Sequence, residues 1–302
     1  MTRSQIDKLP IELKKMYQKF LLWLKKEFYE DIPLTLFHYT TQNGFLGIID
    51  TKSLRMSDNK YLNDTTEYTY AVQLVKDELK KRKYNKLRNF LDINRFDKSF
   101  ERIKEEHPIF VCSFSEKEDL LSQWRGYSPS GGGFSIGFDK SDIVRKKKKY
   151  REFNFVRCVY KNNDQRKFIR KFLDDSVCTF QKYDVSNEYL KSCFINNFFL
   201  MLLTIVPMLK HRSFREEREW RIVSNFRKIK STKIKFREGK FVIVPYVEFK
   251  FANKHEKLKV SKIIVGPNPH MELSLKSVKS ILVAQNVNCA HVEPSIIPYR
   301  GW

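Results

Sequence analysis

The segment that most restricts how this chain can fold is Phe214-Arg-Glu-Glu-Arg-Glu-Trp-Arg-Ile-Val223. Five charged residues stand between Phe214 and Trp220, a sixth follows at Arg221, and Trp220, Ile222 and Val223 make the same segment β-prone. A strand that begins in charge and continues in apolar residues enters a core from a polar rim. Charge at such a sheet end must be solvated or paired. Two readings are open. Glu216, Glu217 and Glu219 are locked to Arg215, Arg218 and Arg221 as ion pairs, or a carboxylate is held at the mouth of a cleft for chemistry.

Around this segment the periodicities alternate between helix and strand. Apolar residues at helical spacing predict a helix over Ile11–Tyr29, ended by Asp31-Ile-Pro33. Leu34–Tyr39 reads as a short strand, Gln42–Asp50 as a short helix and Ser53–Ser57 as a second strand. Asn63 or Asp64 is placed to cap a helix starting near Thr65, with Glu67 in its first turn, where an acid suits the helix dipole. Two highly charged helices follow at about 65–83 and 86–106 and read as a solvated insertion.

Pro108–Ser115 is the clearest buried strand, followed by a short helix over Asp119–Tyr127 and a strand over Phe134–Phe138. Phe153–Tyr160 reads as a strand, Asp164–Tyr183 and Asn187–Lys210 as helices, and 219–224 as the strand of the opening segment. Strands at Phe241–Phe249 and Lys262–Gly266 and a helix at about 272–285 complete the pattern. Strands and helices mix without regular alternation, so the class is α+β, a mostly antiparallel central sheet with helical insertions. The expected organisation is an N-terminal helical segment, 1–33, before a single α+β domain, 34–302, with insertions at about 65–106 and 164–210. Ten glycines and ten prolines in 302 residues leave no long flexible linker to divide it.

Charge narrows the partners. Lys+Arg 58 against Asp+Glu 35 gives +23, an excess that attracts nucleic acid or another polyanion. Its densest run is Arg145, Lys146, Lys147, Lys148 and Lys149, readable as a solvated face or as a nucleic-acid contact. A lysine-rich composition in which Asn, Ile and Phe also rise has a compositional explanation as well. Five scattered cysteines, odd in number and never spaced C-x-x-C, argue against a disulfide framework or a structural zinc. No apolar run is long and uninterrupted enough for a signal peptide or a bilayer span, which points to a cytoplasmic protein without a membrane partner.

Three polar clusters fall at predicted strand ends: His38-Tyr39-Thr40, Ser113-Phe114-Ser115 and Glu217-Arg218-Glu219. Alternation along a strand makes Ser113 and Ser115, and Glu217 and Glu219, co-facial pairs. Trp124 and Tyr127 lie on one helical face just after the second cluster. The six histidines have no metal-ligand spacing, so no metal is expected. Ser130-Gly-Gly-Gly133 reads as a phosphate cradle or, because no helix N-terminus follows it, as a plain mobile loop. Cys112 reads as an inert core residue or as a nucleophile beside His38.

The three clusters suit cleavage of a glycosidic bond beside a cationic leaving group. Glu219 would stabilise the developing oxocarbenium ion and Glu217 would activate a nucleophile. His38 and the hydroxyls would orient the ribose, while an aromatic ring stacks on the departing base. Each residue also has a plain structural reading. The glutamates would be ion pairs, Trp124 and Tyr127 core residues, and His38 a hydrogen-bonded buried group.

Phe37-His-Tyr-Thr40, Leu62-Asn-Asp64 with Glu67, Cys112-Ser-Phe-Ser115, Trp124-Arg-Gly-Tyr127 with Gly133 and Phe138, and Phe214–Arg221 together resemble the bacterial domain-of-unknown-function 2971 family, from about residue 34 to the terminal Ile-Pro-Tyr-Arg. More distantly, Leu36–Thr40 with Leu54-Arg-Met, Ser113-Phe-Ser115 and the Glu217-Arg-Glu219 pattern are similar to the three blocks of the ADP-ribosyltransferase superfamily. A His-type first strand is combined here with a serine pair and an E-x-E, a mixture of two forms of that superfamily. The resemblance implies NAD as substrate, with Glu219, Glu217 and His38 catalytic. His38, Tyr39, Thr40, Ser113, Ser115, Trp124, Tyr127 and Arg221 would grip NAD. It also implies a nucleic acid or protein acceptor and a toxin or phage-defence setting. The alternative is a basic nucleic-acid-binding protein or nuclease without NAD chemistry.

Overall fold

The computed structural model describes residues 10–28, 32–62, 66–127, 132–149, 153–182, 187–224, 233–239, 241–253 and 256–298. In chain order α1 (Ile11–Phe28) precedes β1 (Thr35–Thr40), α2 (Gln42–Thr51) and β2 (Ser53–Asp58). Then come α3 (Thr66–Leu79), α4 (Asn85–Phe90), α5 (Phe96–Glu106), β3 (Phe110–Ser115), α6 (Leu121–Tyr127), β4 (Phe134–Asp139), α7 (Lys140–Lys149) and β5 (Phe153–Arg157). The C-terminal part is α8 (Asn162–Phe180), α9 (Glu188–Ile205), β6 (Glu219–Ser224), β7 (Lys235–Glu238), β8 (Ile243–Lys250), β9 (Lys259–Val265), α10 (Met271–Ala284) and β10 (Asn288–Pro294).

The ten strands form one sheet that divides at β3. One edge of β3 pairs antiparallel with β6 over Val111–Ser115, and β6 pairs with β5. The other edge is shared. Its C-terminal end meets β1 at a single register pair, Phe37↔Ser115, and its N-terminal end meets β2 at Ser57↔Val111 and Asp58↔Phe110. From this fork one arm runs β1-β4-β9-β10 and the other β2-β8-β7, with α2 joining the first strands of the two arms. Every pairing is antiparallel except β9 with β10. The class is therefore the expected α+β one.

Local chemistry sets the element ends. Thr41 caps α2 by accepting the Gly44 amide at 3.2 Å, and a side chain at Gly44 would collide with the Thr40 hydroxyl. Asn187 caps α9 through the Tyr189 and Leu190 amides. The stretch 86–106, expected as one helix, is two, because Asp92 turns the chain at φ 50 between α4 and α5. Pro108, which disfavours helical geometry in His107, separates α5 from β3.

Two apolar layers flank the sheet. On one face α1, α3, α4, α5, α8 and α9 bury Phe20, Val75, Leu79, Phe96, Phe100, Ile103, Phe172, Phe198 and Leu202 against Val111, Val156 and Val223. On the other, α2, α7 and α10 cover Cys112, Phe114, Trp220, Ile222, Val247 and Phe249. Each fully buried large side chain contributes roughly 1.5–3 kcal/mol. The expectation that α3–α5 form a solvated insertion is thus corrected: their charged faces point outward, but one apolar stripe of each completes the first layer. Helix α9 is long and apolar enough to cross a membrane by composition, yet its apolar residues fill this interior.

Candidate active site

The charged opening of β6 lies on the first layer's face. Register puts Ser113 opposite Arg221 and Ser115 opposite Glu219, so these four share a side of the sheet. Arg221 is 2% exposed and is the centre of a buried network. Its Nε and Nη2 donate to Glu219 at 2.7 and 3.0 Å, Nη1 and Nη2 donate to Glu67 at 2.8 and 2.5 Å, and Nη1 donates to the Pro207 carbonyl at 3.0 Å. All five guanidinium N–H groups are used. Lys210, directly after the turn that ends α9, donates to Glu217 and Glu219 at 2.5 and 2.6 Å and lies over the Phe214 ring.

The network contains two cations, Arg221 and Lys210, and three carboxylates, Glu67, Glu217 and Glu219. It therefore carries one negative charge more than its cations neutralise. Burial, the largest influence on Glu219, would raise its pKa, but Arg221 and Lys210 outweigh it and hold the carboxyl at about 2. Burial dominates at Glu217 and pushes that carboxyl up, more than Lys210 pulls it down. Burial would lower the Lys210 ammonium, but Glu219 and Glu217 reverse this and hold it above its ordinary value. Two carboxyls on one lysine are thus driven apart, one a permanent anion and the other able to take up a proton more readily.

Glu217 is not a strand residue. It closes a 3₁₀ turn over Arg212–Glu217, after which Arg218 adopts a left-handed conformation at φ 42 and only then does β6 begin. The co-facial argument for Glu217 and Glu219 is therefore corrected. The pair is gathered by Lys210 and by Ser115, whose hydroxyl donates to the Glu217 carbonyl at 2.7 Å. Of the other partners expected in this segment, Arg218 pairs at the surface with Glu116 and Arg215 and Glu216 are exposed.

The remaining sequence candidates separate into two groups. Tyr127, at the end of α6, lies within electrostatic reach of Glu219, Lys210, Glu217 and Cys112, and burial pushes its hydroxyl up to about 12. His38 is one strand away on β1. Register places it on the opposite face, with Cys112 and Phe114, and its ring enters the fork to donate Nδ1–H to the Ser113 carbonyl at 2.9 Å. Its Nε2 has no hydrogen-bond partner among the described residues. The Cys112 thiol is 3.6 Å from Nδ1, but burial pushes the thiol up and the imidazole down. A thiolate–imidazolium pair is disfavoured there, so Cys112 is the inert core residue of the two readings.

Tyr39 and Trp124 are core. Tyr39 is 3% exposed, donates to the Lys117 carbonyl and meets Trp124 edge-on. Trp124 is fully enclosed, donates to Asp119 and packs on Gly266, where a Cβ would come within 2.9 Å of its ring. Stacking of Trp124 on an incoming base is therefore corrected: the ring is fully buried and its N–H is already used. Thr40 is buried beside Gly44.

The basic run is part of α7. Arg145 pairs with Asp142 at 2.6 Å, and Lys146 is buried against Glu256, so the run is not a continuous exposed stripe. The side chains of Lys147, Lys148 and Lys149 lie outside the described residues, as do Asn63, Asp64 and Ser130. Among the described residues no group of His, Cys, Asp and Glu is placed to hold a metal ion.

Sequence reading missed Glu67 and Lys210 as members of this network. Glu67 had a sufficient local explanation in the first turn of α3, and Lys210 was assigned to the end of a helix. The available signal was Arg221 itself. An arginine inside a β-prone run has two forks to fill, and the acids flanking it fill only one.

Because Glu219 is held at about 2 against an ordinary 4.5, the stability it contributes is present above pH 4.5 and is lost as pH falls towards 2. Loss on the order of 3 kcal/mol across that interval is expected in urea titrations at stepped pH. An acid limb of the same depth in Glu219→Gln would contradict the assignment.

No curated protein and no solved structure matches the chain. Residues 123–222, from α6 through the buried start of β6, match the model of a family described as Protein of unknown function (DUF2971). This matched third of the chain holds Trp124, Tyr127, Lys210, Glu217, Glu219 and Arg221, while His38, Glu67, Ser113 and Ser115 lie before it. Over residues 123–222 the chain is therefore similar to the DUF2971 family.

Proposed function

We propose that the protein is an ADP-ribosyltransferase-like enzyme that cleaves the nicotinamide–ribose bond of NAD and transfers the ADP-ribosyl group to a nucleic acid or protein acceptor. The observation that carries this reading is the pair Glu217 and Glu219, driven to opposite protonation behaviour around Lys210 at the mouth of β6. A buried carboxylate held ionised is suited to stabilise positive charge developing at the ribose C1′. A neighbouring carboxyl with a raised pKa is suited to accept a proton from the attacking acceptor.

In that scheme the C1′–N bond breaks and nicotinamide leaves neutral with the bonding pair. The acceptor oxygen or nitrogen bonds to C1′, and its proton passes to Glu217. Tyr127 borders the same charges, whereas His38, expected to be catalytic and to grip the ribose, faces the other side of the sheet with Cys112 and Phe114 and takes no part in this scheme. Arg221 and Glu67 hold Glu219 in place and are positioning residues.

The pairing of β3 with β6, which sets Ser113 and Ser115 on one face with Glu219, supports the same reading. Incubation with NAD, with and without RNA or protein acceptors, is expected to release nicotinamide, and NAD is expected to raise the melting temperature. Neither release nor a thermal shift in any condition would remove the proposal.

A further inference from the structure

The second arm of the sheet carries a cationic surface independent of the candidate active site. On its face away from Val247 and Phe249, alternation brings together Arg55 and Ser57 of β2, Tyr246 and Glu248 of β8, and Lys235 and Arg237 of β7. The Arg55 guanidinium lies over the Tyr246 ring, 5.5 Å from its centroid. Arg237 donates to the Ser57 hydroxyl at 3.0 Å and to the Glu238 carbonyl at 3.1 Å.

Glu248 is the acid on this face and is taken by Lys235 at 2.8 Å. Among the described residues neither Arg55 nor Arg237 has a carboxylate partner, and each is half-buried. The two guanidiniums are close enough that burial and Arg55 together lower the Arg237 pKa. Tyr246 is 9% exposed, and its hydroxyl has no hydrogen-bond partner among the described residues. Two like charges, one over the Tyr246 ring and the other within its electrostatic reach, are relieved by an anion with several acceptor oxygens, the geometry that guanidinium forks favour.

The opposite face of the same edge strand presents Phe236, 66% exposed, beside Ile243, 68% exposed. Because β7 is the edge strand of this arm, Arg237 and Phe236 stand on its two faces one residue apart, and a single strand crossing that edge meets both a cation and a stacking ring on a chain of net charge +23. In single-stranded nucleic-acid grooves, backbone phosphates meet cations and bases stack on rings.

We propose that the β2-β8-β7 arm is a single-stranded nucleic-acid contact, with Arg55 and Arg237 gripping successive phosphates and Phe236 stacking a base. This surface is a polyanion contact separate from the α7 run. It does not depend on NAD chemistry.

The test is fluorescence anisotropy with a labelled 20-nucleotide oligouridine over a series of salt concentrations, using the full chain. Binding is expected, steep in salt. Arg55→Gln with Arg237→Gln should weaken it at least about tenfold and flatten the log–log salt slope by about 1.4, since each single-strand phosphate contact contributes about 0.7. Phe236→Ser should weaken binding about tenfold while leaving that slope unchanged.

Should the double variant fail to fold, Arg55→Gln alone should flatten the slope by about 0.7. Absence of binding at low salt, or wild-type affinity and slope in the variants, would overturn the proposal. Equal displacement of the oligonucleotide by inorganic phosphate at matched phosphate concentration would also overturn it, making the pair a small-anion site.

Discussion

Replacing Arg221 by Met is expected to destabilise the fold by about 3–5 kcal/mol. The guanidinium is almost completely enclosed and makes five hydrogen bonds, four of them to Glu67 and Glu219. Without it two buried carboxylates and Glu217 face only the Lys210 ammonium, and the Pro207 carbonyl loses its donor. The apolar methionine fills space but leaves those charges unpaired, which is the expensive way to break a buried ion pair. Because α3 and the end of α9 both reach β6 through this network, urea denaturation should show one cooperative transition at a lower midpoint. Combining Arg221→Met with Glu67→Leu should recover part of the loss, since one orphaned carboxylate is removed with its partner. A change below about 1 kcal/mol in Arg221→Met would mean that the network is solvated and does not hold the sheet to the helices.

Much of the scaffold was legible because it rests on local chemistry. The continuous apolar run of Phe110–Ser115, the Trp220–Val223 strand and the helical spacing of Ile11–Phe28 each carry their own periodicity, and each forms where expected. Elements that depend on distant partners were less visible. β10 contains Asn288, Cys289, Ala290 and His291, weak strand formers that extend only by pairing with β9. The lysine run masked the start of α7, whose Ile143 anchors it in the core. The helices α3–α5 looked solvated because acids and lysines interrupt the apolar residues that face inward.

The charge cluster was legible in the sequence, and its partners were not. The charges of Phe214–Val223 divide by their partners in the network. Arg221 is divided equally between Glu219 and Glu67, the latter a residue 154 positions earlier that no local pattern connects to it. Glu217 and Glu219 share Lys210, with one carboxylate beyond what the two cations require. Trp124, chosen as a stacking ring because of its spacing with Tyr127, is committed to Asp119 and Gly266.

That surplus makes the second large effect distinct from the first. In Glu219→Gln the network keeps two cations and two carboxylates, and the amide oxygen still accepts from Arg221. The expected stability cost is on the order of 3 kcal/mol, like that of protonating Glu219. Activity should respond very differently, because an amide cannot compensate charge at C1′. Loss of about 10²–10³ in nicotinamide release is expected.

The central claim is that Glu219 is held ionised for chemistry and not only for stability. It is tested most directly by measuring nicotinamide release from NAD with wild-type protein and Glu219→Gln side by side, each with its thermal melt. The account predicts turnover by the wild type and loss of at least about a hundredfold in a variant that still melts cooperatively. Equal rates in the two proteins, or a variant that is unfolded before any rate can be measured, would contradict it.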